Sequence, residues 1–394
     1  MKYVFLVGDG MADYPVGELG GRTPLEAAAT PNMDSIVRLG RIGRVLTVPA
    51  GLPPGSDVAN LSLLGYDAAA NFEGRGPIEA ASIGVELDAA DTAFRCNVVT
   101  LRDGLMDDYS AGHIGSEDSR PMITEIQAAL GTKTVKFVPG ISYRHLTIIR
   151  DFPRGLACTP PHDISGQPWE PHLPKGPGQE IILDLMERAR PILARSESNK
   201  RRIAAGKKPA TDIWPWGQGR AMKLLTLQDR YGLTGSVISA VDLVRGLGVL
   251  AGLKVRLVPG ATGYLGTNYA GKVAAAREAL LNEDFVYLHV EAPDETGHEG
   301  DVHKKIQAIE EFDKHIVGEI LALRAEIPDL RILVVPDHET PVSTKTHAGG
   351  PVPYAVCGPH VVPGAAAAYT EKEAAWAPVE PAVDLFERFI RGSW

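Results

Sequence analysis

Cysteine is almost absent from the 394-residue chain. Cys96, Cys158 and Cys357 are odd in number, widely spaced and free of any C-x-x-C pattern, which excludes a disulfide framework and a zinc ribbon. Positive charge is in deficit as well, with 40 Lys and Arg facing 49 Asp and Glu for a formal net charge of −9. A surface of that sign repels phosphate backbones and anionic lipid, so nucleic acid and membrane are excluded as main partners. An anionic substrate must then be drawn in by local cations or by metal. Long apolar runs are also missing. No stretch reaches the ~18 residues of a membrane helix, and the run Tyr3–Val7 stops at Gly8-Asp9, too short for a signal-peptide core. The expected address is a reducing cytoplasm. There is no internal period, no low-complexity tract and no heptad run, so a homo-oligomer is left open.

What is present is a globular composition, 44% hydrophobic and 23% charged, long enough at ~150 residues per domain for two or three units. Short β-rich runs at Lys2–Val7, Phe285–Glu291, Arg331–Pro336 and Val352–Cys357 fit strands buried on both faces, as in a parallel sheet. Between them lie amphipathic helices. One starts at Thr30-Pro31, a cap residue followed by proline, and ends at Gly40. Another, Val302 to Leu323, carries Ile306, Ile309, Phe312, Ile316 and Ile320 at helical period. This alternation predicts an α/β fold, an open and mostly parallel sheet with helices on both faces.

The stretch 90–177 reads differently. Alternating segments Ala93–Leu101 and Tyr143–Arg150 flank a helix at Ser119–Leu130, and a proline-rich passage, Thr159 to Pro177, follows. We read 90–177 as a smaller α+β insert in a sheet domain made of 1–89 and 178–394. Residues 178–208 read as one long charged helix, after which the chain turns at Trp214-Pro215-Trp216-Gly217.

Three of the predicted strands end in metal-ligand residue types: Asp9 in V-G-D-G, Asp294 and His298 in P-D-E-T-G-H, Asp337 and His338 in P-D-H-E-T-P. In an open parallel sheet, sites form beyond the carboxyl ends of the strands, so these side chains converge on one crevice. His347, in T-H-A-G-G-P, precedes the next strand and reaches the same rim. Taken singly, each signal is equally a turn or a helix cap. Taken together, six carboxylates and imidazoles exceed one tetrahedral ion and suit two divalent ions with open positions. Without metal, the clustered carboxylates would repel one another.

Leu52-Pro53-Pro54-Gly55-Ser56 is a rigid approach to a helical stretch, and it offers a nucleophile. Ser56 at a helix N-terminus faces free N–H groups that favour an anion. The alternative is an ordinary N-cap serine. A serine hydroxyl is inert at neutral pH unless a base or a metal activates it, and the metal cluster would do so.

These residues resemble a known family. G-D-G, P-G-S-D-V-A-N-L-S-L-L-G-Y-D, G-R-G-P-I-E-A, F-R-C-N, P-D-E-T-G-H-E-G and D-H-E-T-P together resemble the alkaline phosphatase superfamily, and within it the archaeal-type cofactor-independent phosphoglycerate mutases, nearly end to end. The resemblance implies a sheet domain carrying two metal ions and a smaller inserted domain closing over it. Asp9, Ser56, Asp337 and His338 would surround one ion; Asp294, His298 and His347 would hold the other. Manganese is the ion the family implies, while zinc, magnesium, cobalt or iron suit the same donors. Ser56 would carry a phosphoserine while 3-phosphoglycerate and 2-phosphoglycerate interconvert, a step of glycolysis and gluconeogenesis.

The insert should grip a small phosphorylated hydroxy acid. Arg95 and Arg144 are candidates because arginine binds carboxylate and phosphate bidentately. Asp57, beside the nucleophile, and Arg220, after W-G-Q-G, are further substrate contacts, although Arg220 equally fits solvated surface. His113 is an acid/base candidate or a structural hydrogen-bonder. His145, His289, His303 and His315 are read as structural or exposed. One stretch departs from the family. Asp108-Tyr109-Ser110-Ala111-Gly112-His113 stands where the archaeal mutases carry R-R-A-G-R, and resembles a bacterial subgroup proposed to be homoserine kinases. A homoserine-kinase-like phosphotransferase is therefore the second expectation, and a phosphomonoesterase the third.

Overall fold

A computed structural model describes residues 1–394, which divide into two compact units. One comprises Met1–Phe72 with Lys223–Trp394, the other Glu73–Met222. Thirteen strands follow along the chain. β1 (Lys2–Gly8) and β2 (Gly40–Leu46) open the larger unit. The smaller unit holds β3 (Asp91–Arg102), β4 (Leu105–Asp108), β5 (Val135–Ile141), β6 (Arg144–Arg150) and β7 (Asp212–Arg220). The larger unit resumes with β8 (Gly235–Ile238), β9 (Lys254–Val255), β10 (Phe285–Val290), β11 (Leu330–Val335), β12 (Val352–Cys357) and β13 (Val379–Pro381).

The larger unit is an eight-stranded sheet in the order β13-β2-β12-β11-β1-β10-β8-β9. β1 runs parallel to both β10 and β11, and β10 parallel to β8. Every residue of β10 and β11 is buried, as continuous apolar runs require when helices cover both faces. One face packs Val4, Leu6, Val286, Leu288, Ile332 and Val334 with Ile309, Phe312 and Ile316 of the 302–323 stretch. On the other, Phe5 stacks on Tyr287 and meets Phe386 and Phe389 of the Ala382–Arg391 helix. The sheet is mostly parallel, as expected, but β12 is antiparallel to β11 and β2. The chain turns straight back after β11 without the helical crossover that a parallel neighbour needs.

Two helices differ in detail from their expectation. The Pro31–Leu39 helix begins and ends as read, but Thr30 makes no capping bond. Its leading N–H groups, those of Asn32 and Met33, donate to the Asp313 carboxylate from far along the chain. The stretch Val302 to Leu323 is not one regular helix, because a π turn at Asp313–Val317 separates Val302–Phe312 from Gly318–Ala322. That wider turn carries the capping Asp313.

The smaller unit is a five-stranded sheet, antiparallel throughout, with β3 paired to β4, β6 and β7. It begins and ends outside the expected 90–177. The Gln179–Arg195 helix buries Ile182, Leu185, Met186, Ala189 and Leu193 against Phe94, Ile123 and Trp214. β7 pairs with β3 over Thr92–Val99, so Trp214–Gly217 forms a strand and not a turn. The 178–208 helix is also two helices, Gln179–Arg195 and Glu197–Ala204. Ser196 leaves the helical conformation between them (φ −59°, ψ 129°), and the Asn199 amide donates to the Leu193 carbonyl at 2.9 Å. Hydrophobic period alone does not reveal such a break.

Candidate metal centre and nucleophile

Strand register assembles the site. β11, β1 and β10 are neighbours and parallel, so the residues that follow them leave the sheet at one edge. Asp9 follows β1, Asp337 and His338 follow β11, and Asp294 lies in the Ala292–Glu299 helix that follows β10. All four are buried. His298 stands one helical turn beyond Asp294, and His347 comes from the loop leading to β12.

The expected ligands fall into two touching groups. In the first, Asp294 Oδ2 lies 3.2 Å from His298 Nε2, Asp294 Oδ1 3.5 Å from His347 Nε2, and the two histidine nitrogens 3.0 Å from each other. His298 Nδ1 faces the Lys345 carbonyl at 3.0 Å. A carbonyl only accepts, so Nδ1 carries a proton, and Nε2 is the nitrogen turned towards Asp294 and His347. In the second group His338 Nε2 lies 3.5 Å from Asp9 Oδ1, 3.6 Å from Asp337 Oδ2 and 3.1 Å from Ser56 Oγ. The rings of His338 and His347 are 4.2 Å apart between centroids, which joins the groups.

Both Asp9 oxygens are buried with no well-formed hydrogen bond. Burial, then repulsion from Asp337, Asp294 and Glu291, pushes the Asp9 carboxyl well above its usual range. Asp294 goes the other way: burial would raise it, but hydrogen bonds from His298 and His347 hold it well below. The hydrogen bond to Asp294 lifts His298 to about 9, whereas burial lowers His338. Orphaned buried carboxylate oxygens, and imidazole nitrogens crowded against carboxylates and against one another, are a donor set that divalent ions satisfy. Donor atoms of Asp294, His298 and His347, of Asp9, Asp294 and His338, and of Asp9, His289 and Asp337 lie within 4.8 Å of one another in each trio. The residues present fit two ions.

Ser56 is the first residue of the Ser56–Leu63 helix, whose N-cap is Gly55, so the N-cap alternative does not describe it. One turn on, Asn60 donates from Nδ2 to the Ser56 carbonyl at 2.8 Å and to Asp337 Oδ2 at 2.7 Å, while Tyr287 donates to its Oδ1 at 2.6 Å. Asn60 thus ties the backbone of the candidate nucleophile to a candidate ligand, a link its place in S-D-V-A-N does not announce. Asp57 is buried, and its Oδ1 accepts from the Val58 N–H at 2.9 Å.

Sequence reading set His289 aside. In the structure its Nε2 lies 3.0 Å from Asp9 Oδ2 and its Nδ1 3.2 Å from Ser239 Oγ, which accepts from the Val241 N–H. Ser239 Oγ thus holds Nδ1 and leaves Nε2 as the ring nitrogen that faces Asp9. Burial pushes this histidine down to about 4, so it is neutral. The available signal was its position in the strand that leads to Asp294.

The remaining candidates belong to the smaller unit. Arg95 is buried, paired through Nε with Glu79 Oε1 at 2.9 Å and stacked over Trp216 at 4.4 Å. Arg144 lies over Tyr143 at 5.6 Å. Positive charge gathers here, since Arg75 and Arg144 add to burial in lowering Arg95 against the pull of Glu79. Arg75 belongs to the quoted G-R-G-P-I-E-A stretch but was given no role. His162, against Trp216 at 5.2 Å, was missed because it sits in the proline-rich passage. Arg220 Nη2 reaches the Phe152 carbonyl at 3.5 Å. His113 is exposed, left-handed at φ 47°, and edge-on to Tyr109 at 6.3 Å.

The family model described as 2,3-bisphosphoglycerate-independent phosphoglycerate mutase matches residues 38–199. Two similar proteins bear the same description. That of Methanosarcina acetivorans is 54% identical over 90% of each chain, and that of Methanothrix thermoacetophila 52% identical over 94% of each. Among solved structures, a protein of Pyrococcus horikoshii is 28% identical with a TM-score of 0.83, covering 100% of this chain and 98% of that one. The cofactor-independent phosphoglycerate mutase of Thermoplasma acidophilum, 24% identical, has a TM-score of 0.67 over 99% of each chain and the same fold.

Proposed function

Because the chain belongs to the 2,3-bisphosphoglycerate-independent phosphoglycerate mutase family, we propose that it interconverts 3-phosphoglycerate and 2-phosphoglycerate through a phosphoserine on Ser56. The observation that carries this reading is the Ser56 hydroxyl, 3.1 Å from His338 Nε2 inside the Asp/His cluster. Asp9, Ser56, Asp337 and His338 would hold one divalent ion and Asp294, His298 and His347 the other, with manganese our choice. When bound, the ions supply Lewis-acid charge that neutralises the phosphate and the crowded carboxylates.

The chain's own residues do the rest. Ser56 Oγ attacks phosphorus in line; the new Oγ–P bond forms as the bond from phosphorus to the C3 oxygen breaks. The serine proton is balanced by the one that the leaving oxygen gains. The glycerate then presents its C2 hydroxyl to the phosphoserine, and the reverse exchange restores Ser56. Because the helix begins at Ser56 with no side-chain cap, its N-terminal partial charge favours the transferred phosphate. Asn60 holds Ser56 and Asp337 in register, so positioning supplies much of the rate. Arg95 and Arg144 are our candidates for gripping the substrate carboxylate, with Arg220 and Asp57 as further contacts and His113 as a proton donor. Three free cysteines agree with a reducing cytoplasm, which we assign; no helix is long and apolar enough to cross a membrane.

A coupled assay starting from 3-phosphoglycerate, run beside one for ATP-dependent homoserine phosphorylation, tests the proposal. Turnover in the first and none in the second is expected; the opposite pattern overturns it.

A further inference from the structure

We propose that Thr340 is a positioning residue that couples the two metal-ligand groups by spending its single hydroxyl proton; this rests on the two-ion reading above. Its Oγ1 lies 2.5 Å from Asp294 Oδ1, in one group, and 3.1 Å from His338 Nδ1, in the other. The Asp294 carboxylate only accepts, so the hydroxyl proton goes to it. With that proton committed, Thr340 Oγ1 accepts from His338, and His338 must carry its proton on Nδ1. Its bare nitrogen is then Nε2, the atom that faces Ser56 Oγ at 3.1 Å and Asp9 Oδ1 at 3.5 Å. The same hydroxyl fixes Asp294 Oδ1 and leaves Oδ2 turned towards His298.

The backbone at Thr340 is held on both sides. Thr340 is fully buried. Its N–H donates to the Ala12 carbonyl at 3.2 Å, and its own carbonyl accepts from Lys305 Nζ at 2.8 Å. Lys305 also binds the Ala12 carbonyl and Asp13 Oδ2, so one buried ammonium clamps the loops that follow β1 and β11. Held on both sides, Thr340 has little freedom to aim its hydroxyl elsewhere. Outer hydrogen bonds of this kind typically change metal affinity 10–100-fold.

The experiment titrates Mn²⁺ into metal-free wild type, Thr340→Val and Thr340→Ser by calorimetry. Imidazole ¹⁵N NMR of the same samples, with His338 assigned by its loss in His338→Asn, reads the tautomer. Wild type and Thr340→Ser should bind two ions, with His338 protonated on Nδ1. Thr340→Val should bind both ions roughly 10–100-fold more weakly and lose the pure Nδ1–H tautomer, while its metal-free form still melts in one cooperative transition. Thr340→Ala, which needs no extra room, replaces the valine variant if that one does not fold. Two ions bound by Thr340→Val with wild-type affinity and tautomer would overturn the coupling role alone. Wild type that binds no ion would overturn the two-ion reading, and this role with it.

Discussion

Ser56 Oγ and His338 Nε2 meet at 3.1 Å although they are far apart in the chain. One comes from a proline-led turn into a helix and the other from the end of a buried strand. Ser56→Ala removes the hydroxyl proposed to carry the phosphoryl group. Turnover of 3-phosphoglycerate should fall by roughly 10⁴-fold or more, and no phosphoserine should appear by mass spectrometry of the quenched enzyme. Turnover close to wild type would eliminate the covalent route.

His289 presents Nε2 to Asp9 Oδ2 at 3.0 Å. His289→Leu should weaken binding of the ion that Asp9 would hold by about 10–100-fold, with the Asp294–His298–His347 ion much less affected. His289→Asn, which keeps a donor, should recover part of the loss. Metal titration of both variants checks this, and equal weakening of the two ions would argue against a role specific to Asp9.

Gly10 is left-handed at φ +59°, and a Cβ there would lie 2.5 Å from both Asp294 Oδ1 and Thr340 Oγ1. Gly10→Ala therefore combines backbone strain with a clash in the centre. We expect a melting-temperature loss corresponding to about 1–3 kcal/mol, together with impaired metal binding. An unchanged melting curve would contradict this packing.

Metal removal should destabilise the protein as well as silence it. Asp9, Asp294 and Asp337 crowd one buried crevice, and binding that favours only the folded state adds about 4 kcal/mol when the free ion is 1,000-fold above its dissociation constant. Dialysis against chelator should lower the melting temperature, and added Mn²⁺ should restore it in a concentration-dependent way. Identical melting with and without chelator would speak against resident ions.

His145 gives a pH dependence away from the metal centre. It is buried, its Nδ1 accepts from the Gly140 N–H at 3.0 Å, and burial pushes its pKa from 6.5 down to about 3. The unfolded chain therefore binds a proton that the folded chain refuses between pH 6.5 and about 3. Stability from this group is complete above 6.5 and declines on acidification, by at most about 1.4 kcal/mol per pH unit. Urea denaturation between pH 7 and 4.5 should show a shallower acid slope in His145→Asn than in wild type. Equal slopes would remove His145 as the cause.

Much of the centre is legible in the chain because a parallel sheet obeys a simple rule: whatever follows its strands leaves by one edge. V-G-D-G, P-D-E-T-G-H and P-D-H-E-T-P each end a buried run, so Asp9, Asp294, Asp337 and His338 could be assigned to one crevice before any coordinate. His289, Asn60 and Thr340 could not. Their types recur throughout any core, and their meaning lies in a partner tens to hundreds of residues away. The same holds for Asp313, which caps a helix that begins at Pro31, and for the 179–195 helix, which joins the smaller unit through its buried face.

The chain by itself determined the periodicities, the strand ends and the ligand types, since these depend on neighbours within a few residues. Tertiary structure alone decided which groups face each histidine nitrogen, which carboxylate oxygens are buried without a hydrogen bond, and where one compact unit gives way to the next. Those outcomes depend on directional bonds and buried contacts between distant segments, which spacing along a chain does not encode.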